Sequence, residues 1–319
     1  MAISEQQSSP ASREVLLLRE SAHQHRPARR VAPTLALVAA SGVLLAGCSS
    51  GLPSLPFLSG SSEKANLSAP AEPAEALYSR ADALMSRGKY RGAAQAFENV
   101  DREHPYSPFA RRALALAAFA HYKDGNYDEA IKAGRRYATL HSGTKDAALA
   151  HHVIAMSYFD QASDPKRDQS KTRKALAEFI KLRSRYPDSR YAKQAENRIR
   201  ISRDILAASE MSVGRYYMRE GNHLAAINRY KTVVEKYQTT PHVEEALARL
   251  TESYMALGIR NEAQTAAAIL GHNFPNSQWY KDSYALLQSD GLAPREDTDS
   301  WLSRTWKSTV AAVSGIASN

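Results

Sequence analysis

The chain has 319 residues, 43% of them hydrophobic, with 42 Lys and Arg against 33 Asp and Glu and a single cysteine. That length can bury a sizeable core. One Cys excludes an internal disulfide, so stability has to come from apolar packing. The formal charge of +9 suits either a solvated, Arg-rich helix surface or an anionic partner.

The lone Cys48 sits in Leu45-Ala46-Gly47-Cys48, behind an apolar run over residues 31–46 and a basic cluster of Arg26, Arg29 and Arg30. A charged region, a short apolar region and a small-residue cleavage site together read as an export signal. The run is short of the roughly 20 residues that a span needs, and it carries Pro33, Ser41 and Gly42. A Cys after the small pair resembles the lipobox of bacterial lipoproteins. The resemblance implies that residues 1–47 are a signal peptide that is removed, that the Cys48 thiol takes a diacylglycerol, and that the new amino terminus is acylated, as with palmitate. Residues 1–25 are long, polar and mixed in charge for a segment preceding such a signal. A start assigned too far upstream explains them, with an alternative codon at Val15 or within residues 16–18. Past residue 48 there remain 37 Lys and Arg against 30 Asp and Glu. Outside the inner membrane such a surplus points to anionic lipid or an acidic protein face rather than nucleic acid.

Residues 48–73 form a lipidated tether, rich in Ser, Pro, Gly and Ala. About 24 flexible residues reach on the order of 27 Å, enough to hold a folded part clear of a bilayer. Ser49 is not the Asp that commonly retains such lipoproteins at the inner membrane. The resemblance therefore favours the outer membrane, with the chain facing the periplasm.

From residue 74 to 289 the texture is helical and repetitive. Gly88-Lys89-Tyr90 leads to Ala93, Phe97, Val100 and Pro105; Gly125-Asn126-Tyr127 leads to Ala130, Tyr137 and Leu140. Ala175, Phe179, Leu182 and Pro187 follow, then Gly221-Asn222-His223 with Ala226, Tyr230 and Val233, and finally Gly258, Ala263, Leu270 and Pro275. The steps from Gly88 to Gly125 and from Gly221 to Gly258 are both 37 residues, a period that marks a solenoid. Each Gly tolerates the left-handed turn after a first helix. The Ala, aromatic and aliphatic positions then form one buried stripe on a second helix, and the Pro ends it.

The spacing resembles the tetratricopeptide repeat, so the expected fold is all-α, a right-handed superhelical solenoid of about five such helix pairs. The fourth unit fits best, with Gly214 and Tyr217 on its first helix. The second unit has Ser142 in place of the closing Pro and Gly134 where an aromatic is expected. The third carries an insertion over residues 160–170. A separate long helix is expected over residues 189–207, and a capping helix over 279–287. Residues 290–319 form a tail in which Leu302, Trp306, Val310 and Val313 share a helical face, with Arg304 and Lys307 as polar neighbours. Such a face can lie on a membrane or dock on a partner.

Catalytic signatures are missing. His151 and His152 are adjacent and so point to different helix faces, and no zinc-type spacing, phosphate loop or nucleophile elbow occurs. Asp128 with Glu129, and Glu244 with Glu245, read as helix-start carboxylates that complement the dipole. The expectation is a non-enzymatic protein with no catalytic residue, no metal and no cofactor.

Lipobox, tether, five repeats with the third interrupted, and total length together resemble the BamD (ComL) family, lipoproteins of the outer-membrane β-barrel assembly machinery. The more specific stretches are His104-Pro105-Tyr106-Ser107, Arg167-Asp168-Gln169, and residues 210–229 with Ser212-Val213, Tyr216-Tyr217 and Ala226-Ile227-Asn228-Arg229. The resemblance implies that the C-terminal repeats hold the periplasmic POTRA region of a BamA-like barrel subunit, with Arg229, Tyr216 and Tyr217 in the contact. It also implies that the N-terminal repeats receive the targeting strand of unfolded outer-membrane proteins, and that other assembly lipoproteins join. Aligning the first two units places Tyr78, Met85, Arg112, Phe119, Tyr122 and Lys123 along that client groove. The insertion is shorter than in the best-known members, and the tail beyond Asp290 is extra. Two other readings stay open: a periplasmic repeat scaffold for cell-division or peptidoglycan-modifying enzymes, and a helical ring attached to a lytic transglycosylase, for which about 30 residues past 288 leave little room.

Overall fold

The computed structural model describes residues 72–162 and 164–308. Cys48, the expected signal peptide, nearly all of the expected tether, Val310 and Val313 lie outside the described residues. The described residues hold helices and turns, with no strand among them. In chain order the helices are α1 (Ala74–Ser86), α2 (Tyr90–Glu103), α3 (Ala110–Lys123), α4 (Tyr127–Leu140), α5 (Ala147–Asp160), α6 (Ser170–Arg185), α7 (Arg190–Arg219), α8 (His223–Lys236), α9 (His242–Ala256), α10 (Arg260–Asn273) and α11 (Gln278–Ser289). Residues 301–308 add a terminal helix, α12. Each helix packs on the next, and first helices also touch the first helix of the following unit: α3 on α5, α5 on α7, α7 on α9. This is a solenoid of five helix pairs with α11 closing it.

The repeat motif explains the local structure. Gly88, Gly125, Gly221 and Gly258 all have φ between 72° and 79°, where a Cβ would be strained. At each, the Gly N–H donates to the carbonyl three residues back, and the next N–H to the carbonyl five back, as in Lys89 N to Leu84 O at 2.9 Å and Asn222 N to Tyr217 O at 2.9 Å. That pair of hydrogen bonds satisfies orphan carbonyls of a helix end. The stripe that follows is buried throughout: Ala93, Phe97 and Val100, then Ala175, Phe179 and Leu182, then Ala226, Tyr230 and Val233, all at 0% exposure. In the second unit Gly134 takes the aromatic's place because a Cβ there would meet Ile154 Cγ1 at 2.8 Å. Tyr137 fills the core one turn later, and its hydroxyl bonds Thr144 Oγ1 at 2.8 Å.

A second signature sits between units. Ser107, Thr144, Ser189, Thr240 and Ser277 each donate their N–H to the carbonyl three residues back, at the end of each second helix. Ser107 Oγ and Ser189 Oγ also accept from the N–H of Ala110 and Ala192, capping the next helix. The insertion is organised by Gln169, which is 3% exposed. Its Nε2 donates to the carbonyls of Asp164 and Arg167, and its Oε1 accepts from Thr172 Oγ1.

Two expectations change. The long helix does not stop near residue 207: α7 runs unbroken over 30 residues, about 45 Å, and is itself the first helix of the fourth unit. Nothing between Ser189 and Gly214 breaks it, and Gly214 is retained inside the helix because Tyr230 approaches where its Cβ would stand, at 2.5 Å. The described part of the tail is not free either. Leu302 and Ser303 are 0% exposed, and Trp301 and Trp306 pack on the C-terminal core. Arg295 N donates to Gln264 O, Ser300 Oγ to Glu262 Oε2, and Trp301 Nε1 to Tyr254 Oη. The apolar face read as available to a membrane or partner is, at Leu302 and Trp306, turned onto the solenoid itself.

Candidate partner-binding surfaces

Helical spacing on α3 places Arg112, Leu116, Phe119 and Lys123 along one stripe. Phe119 and Tyr122 are half-buried, with ring centroids 6.3 Å apart. Arg112 is exposed, and the exposed Lys123 ammonium stands 5.7 Å from the Tyr90 ring centroid. Tyr78 is drawn into packing, 5.5 Å from Phe97 and 5.4 Å from Phe109, and Met85 lies on the same core. Of the six expected groove residues, then, Phe119, Tyr122, Lys123 and Arg112 share α3, while Tyr78 and Met85 serve first to close the first unit.

The α3 stripe has neighbours that sequence reasoning missed. The Tyr122 hydroxyl donates to Asp160 Oδ2 at 2.8 Å, and Arg198 lies 4.8 Å over the Phe159 ring. Burial first, and Asp160 second, push the Tyr122 hydroxyl pKa well up, so it stays a donor. Tyr122, Asp160 and Arg198 are each 38 residues apart, on α3, α5 and α7. A reader projecting the repeat period across first helices could have found them. Behind them His152 stacks on Tyr191 at 4.8 Å.

At the C-terminal end Arg229 on α8 is 44% exposed, and its Nη1 donates to Glu210 Oε2 of α7 at 3.2 Å. This single contact leaves the other guanidinium donors without a partner among the described residues, as a bidentate partner carboxylate would require. Tyr216 is 51% exposed and meets Tyr217 edge-on at 5.6 Å; Tyr217 leans on the core. The three expected residues therefore divide into two exposed groups and one packing residue. Leu224, Leu257 and Ile259 are also exposed, at or beside the Gly221 and Gly258 turns. They went unnoticed because turn residues carry no periodicity. Nearby, Arg215 grips both oxygens of Glu245 at 3.0 and 2.8 Å, and Arg249 both oxygens of Glu252 at 3.1 and 2.8 Å. Arg249 also covers the Trp279 ring at 5.1 Å, so α7, α9 and α11 are tied by charge. Among the described residues no group of three or more His, Cys, Asp or Glu is placed to hold a metal.

Comparison with known proteins shows the family. Residues 70–270 match the YfiO family model, described as an outer membrane lipoprotein. The chain is 41% identical over 271 residues to the outer membrane protein assembly factor BamD of Caulobacter vibrioides, covering 85% of this chain and 84% of that one. It is 36% identical to the protein of that name from Rickettsia prowazekii, covering 68% and 86%. The Neisseria meningitidis serogroup A protein of that name is 33% identical, covering 64% and 80%. Five helix pairs with glycine-turn spacing, a clamped insertion in the third, and these matches place the chain in the YfiO family of outer membrane lipoproteins.

Proposed function

We propose that this chain is a non-enzymatic scaffold of outer-membrane β-barrel assembly, lipid-anchored through Cys48 and facing the periplasm. Its C-terminal repeats bind the POTRA region of a BamA-like barrel subunit. Its N-terminal groove receives targeting strands of unfolded outer-membrane proteins, and further assembly lipoproteins complete the complex. The relatives named as assembly factors support the process. The observation that carries the partner surface is the placement of exposed apolar side chains. Of the seven large exposed hydrophobic residues among the described ones, four (Tyr216, Leu224, Leu257 and Ile259) lie in repeats four and five, the repeats that also carry the part-exposed guanidinium of Arg229. Aromatic and aliphatic anchors beside an Arg are what protein interfaces concentrate. A surface rather than an enclosed cavity suits a binding role.

The test is co-purification of the barrel subunit from membranes with two variants. Arg229→Glu is expected to lower recovery at least about tenfold, the equivalent of about 1.4 kcal/mol, with helix content by circular dichroism unchanged. Glu210→Gln removes the internal ion pair and is expected to leave recovery near wild type. If Glu210→Gln loses the partner as fully as Arg229→Glu does, the pair acts within the fold and the interface lies elsewhere.

A further inference from the structure

The positive charge of this chain is not spread over its repeats. Residues 166–203, which are the end of the insertion, α6 and the first half of α7, hold thirteen Lys and Arg against four Asp and Glu, a surplus of nine. The surplus past residue 48 is only seven, so everything else past that point is slightly acidic. A generally Arg-rich solvated surface would distribute its cations over all five helix pairs. Here one stretch carries them, straddling the third and fourth pairs.

Little inside the fold neutralises them. Arg173 comes within 3.7 Å of Asp168, both exposed, and Lys181 within 4.0 Å of Glu178, which is half-buried and also meets His151. The other eleven form no ion pair among the described residues. Like charges are instead brought together. Lys171, Lys174, Lys181 and Arg185 fall along one stripe of α6 by helical spacing, and the last three are exposed. Lys171, Lys174 and Arg135 of α4 all converge on the Tyr158 ring, at 5.6, 5.7 and 5.9 Å from its centroid, and Arg135 Nη2 donates to the hydroxyl at 2.7 Å. On the other flank Arg203 of α7 has its pKa held down by burial and then by Arg183 of α6. Cations arranged in this way repel one another until an external anion sits among them.

The chemistry of that anion follows from what the patch lacks. A protein interface needs apolar or aromatic anchors at its centre, and none of the large exposed hydrophobic residues lies within residues 166–203. Four of them lie instead in repeats four and five. Long, flexible cations without an apolar centre match a plane of phosphates, where each Lys or Arg adds a small increment that salt screens. We propose that the α6–α7 face is a docking surface for the headgroups of anionic phospholipids, laying the middle repeat against a charged bilayer. The exposed α6 stripe of Lys174, Lys181 and Arg185 shares no residue with the Arg229–Glu210 pair, while Arg173 and Arg203 reach towards it through Tyr237, on which Glu210 also acts.

The described residues carry packed cores of their own, and the chain from residue 66 onward suits a vesicle co-sedimentation test that any lipid on Cys48 cannot confuse. Binding is expected to phosphatidylcholine vesicles containing phosphatidylglycerol and not to phosphatidylcholine alone, and to fall steeply as salt is added. The triple variant Lys174→Glu, Lys181→Glu, Arg185→Glu should lose at least about tenfold in vesicle affinity. A control with the same charge change at exposed sites elsewhere, Arg87→Glu, Lys89→Glu, Lys145→Glu, should lose much less. Equal loss in the control reduces the effect to net charge and overturns the proposal, as does equal binding to neutral vesicles. Release by millimolar inorganic phosphate alone would mean a discrete anion pocket instead of a headgroup surface. The triple variant should still co-purify with the partner that Arg229→Glu loses. If it loses that partner while keeping its vesicles, the patch serves an acidic protein and the lipid reading is wrong.

Discussion

Repeats one and two close their helix pairs with small residues, whereas repeats four and five close theirs with large ones. Helix α3 alone buries Ala110, Ala113, Ala115, Ala117, Ala118 and Ala120, and the apolar residues around it fall into three separate clusters. Among the largest fully buried side chains of the described residues, only Phe97 and Tyr137 precede residue 141, while Met211, Tyr230, Leu247, Leu250, Leu270 and Leu287 follow residue 206. These six belong to one cluster that runs from Ala207 to Leu302 and takes in the terminal segment. In a stacked array each unit is held only by its neighbours, so buried area per unit sets how readily that unit opens. The half-exposed aromatics of the candidate client groove lie at the lightly packed end. The candidate partner face lies at the heavily packed end, where a rigid surface loses less entropy on binding.

The comparison breaks most readily in the cores. Phe97→Ala and Tyr230→Ala each remove a fully buried ring from the same repeat position, and each should cost about 3–5 kcal/mol. The extent of opening should differ. Hydrogen exchange should show Phe97→Ala loosening residues 74–123 and little beyond. Tyr230→Ala should loosen α7 through α12 together, because that cluster is continuous. Protection lost at α9 in Phe97→Ala would mean that the two ends are one cooperative unit.

Most of this architecture was legible because the repeat writes its rules locally. A glycine with no Cβ marks each left-handed turn, and an Ala-aromatic-aliphatic stripe marks each second helix; both signals live within a dozen residues. The continuity of α7 was not legible. The expected helix ends near residue 207, yet residues 190–219 carry no Pro and no Gly except Gly214, whose role is to admit Tyr230. The docked tail escaped for a different reason. Its apolar face at Leu302 and Trp306 is as well suited to its own α8–α10 surface as to a membrane, and sequence periodicity names a face without naming what covers it. The candidate site divides in the same way: Arg229 was visible through a motif, while Asp160 and Arg198 become neighbours of Tyr122 and Phe159 only when first helices stack at the repeat period.

The terminal segment sharpens the comparison at one end. Leu302 is fully buried, and Lys231 of α8 stands 4.0 Å over the Trp301 ring beside it, so α12 ties the fourth unit to the fifth. Leu302→Ala should lower stability by about 2–3 kcal/mol and shift the melting of the C-terminal repeats, with exchange protection at residues 74–123 unchanged. An unaltered melt would show that the segment rests on the solenoid without holding it.

The smallest effect concerns the middle, where α5 and α7 join the two ends. His152 is largely buried against Tyr191, and burial, reinforced by Arg198 and Arg190, lowers its pKa from 6.5 to about 4. The unfolded chain therefore takes up a proton at this site between about pH 6.5 and 4 while the folded chain does not, and stability falls as pH drops through that window. From pH 7 to pH 5 the loss attributable to His152 is about 2 kcal/mol at most. Urea titrations at the two pH values should show it, and His152→Phe, which keeps the stacking and removes the titration, should flatten the difference by that amount. Because α7 is shared between the middle core and the C-terminal core, exchange at pH 5 should rise first in α5 and the front half of α7. If it rises instead in α1 and α2, the acid-sensitive element is at the lightly packed end and His152 is not its cause.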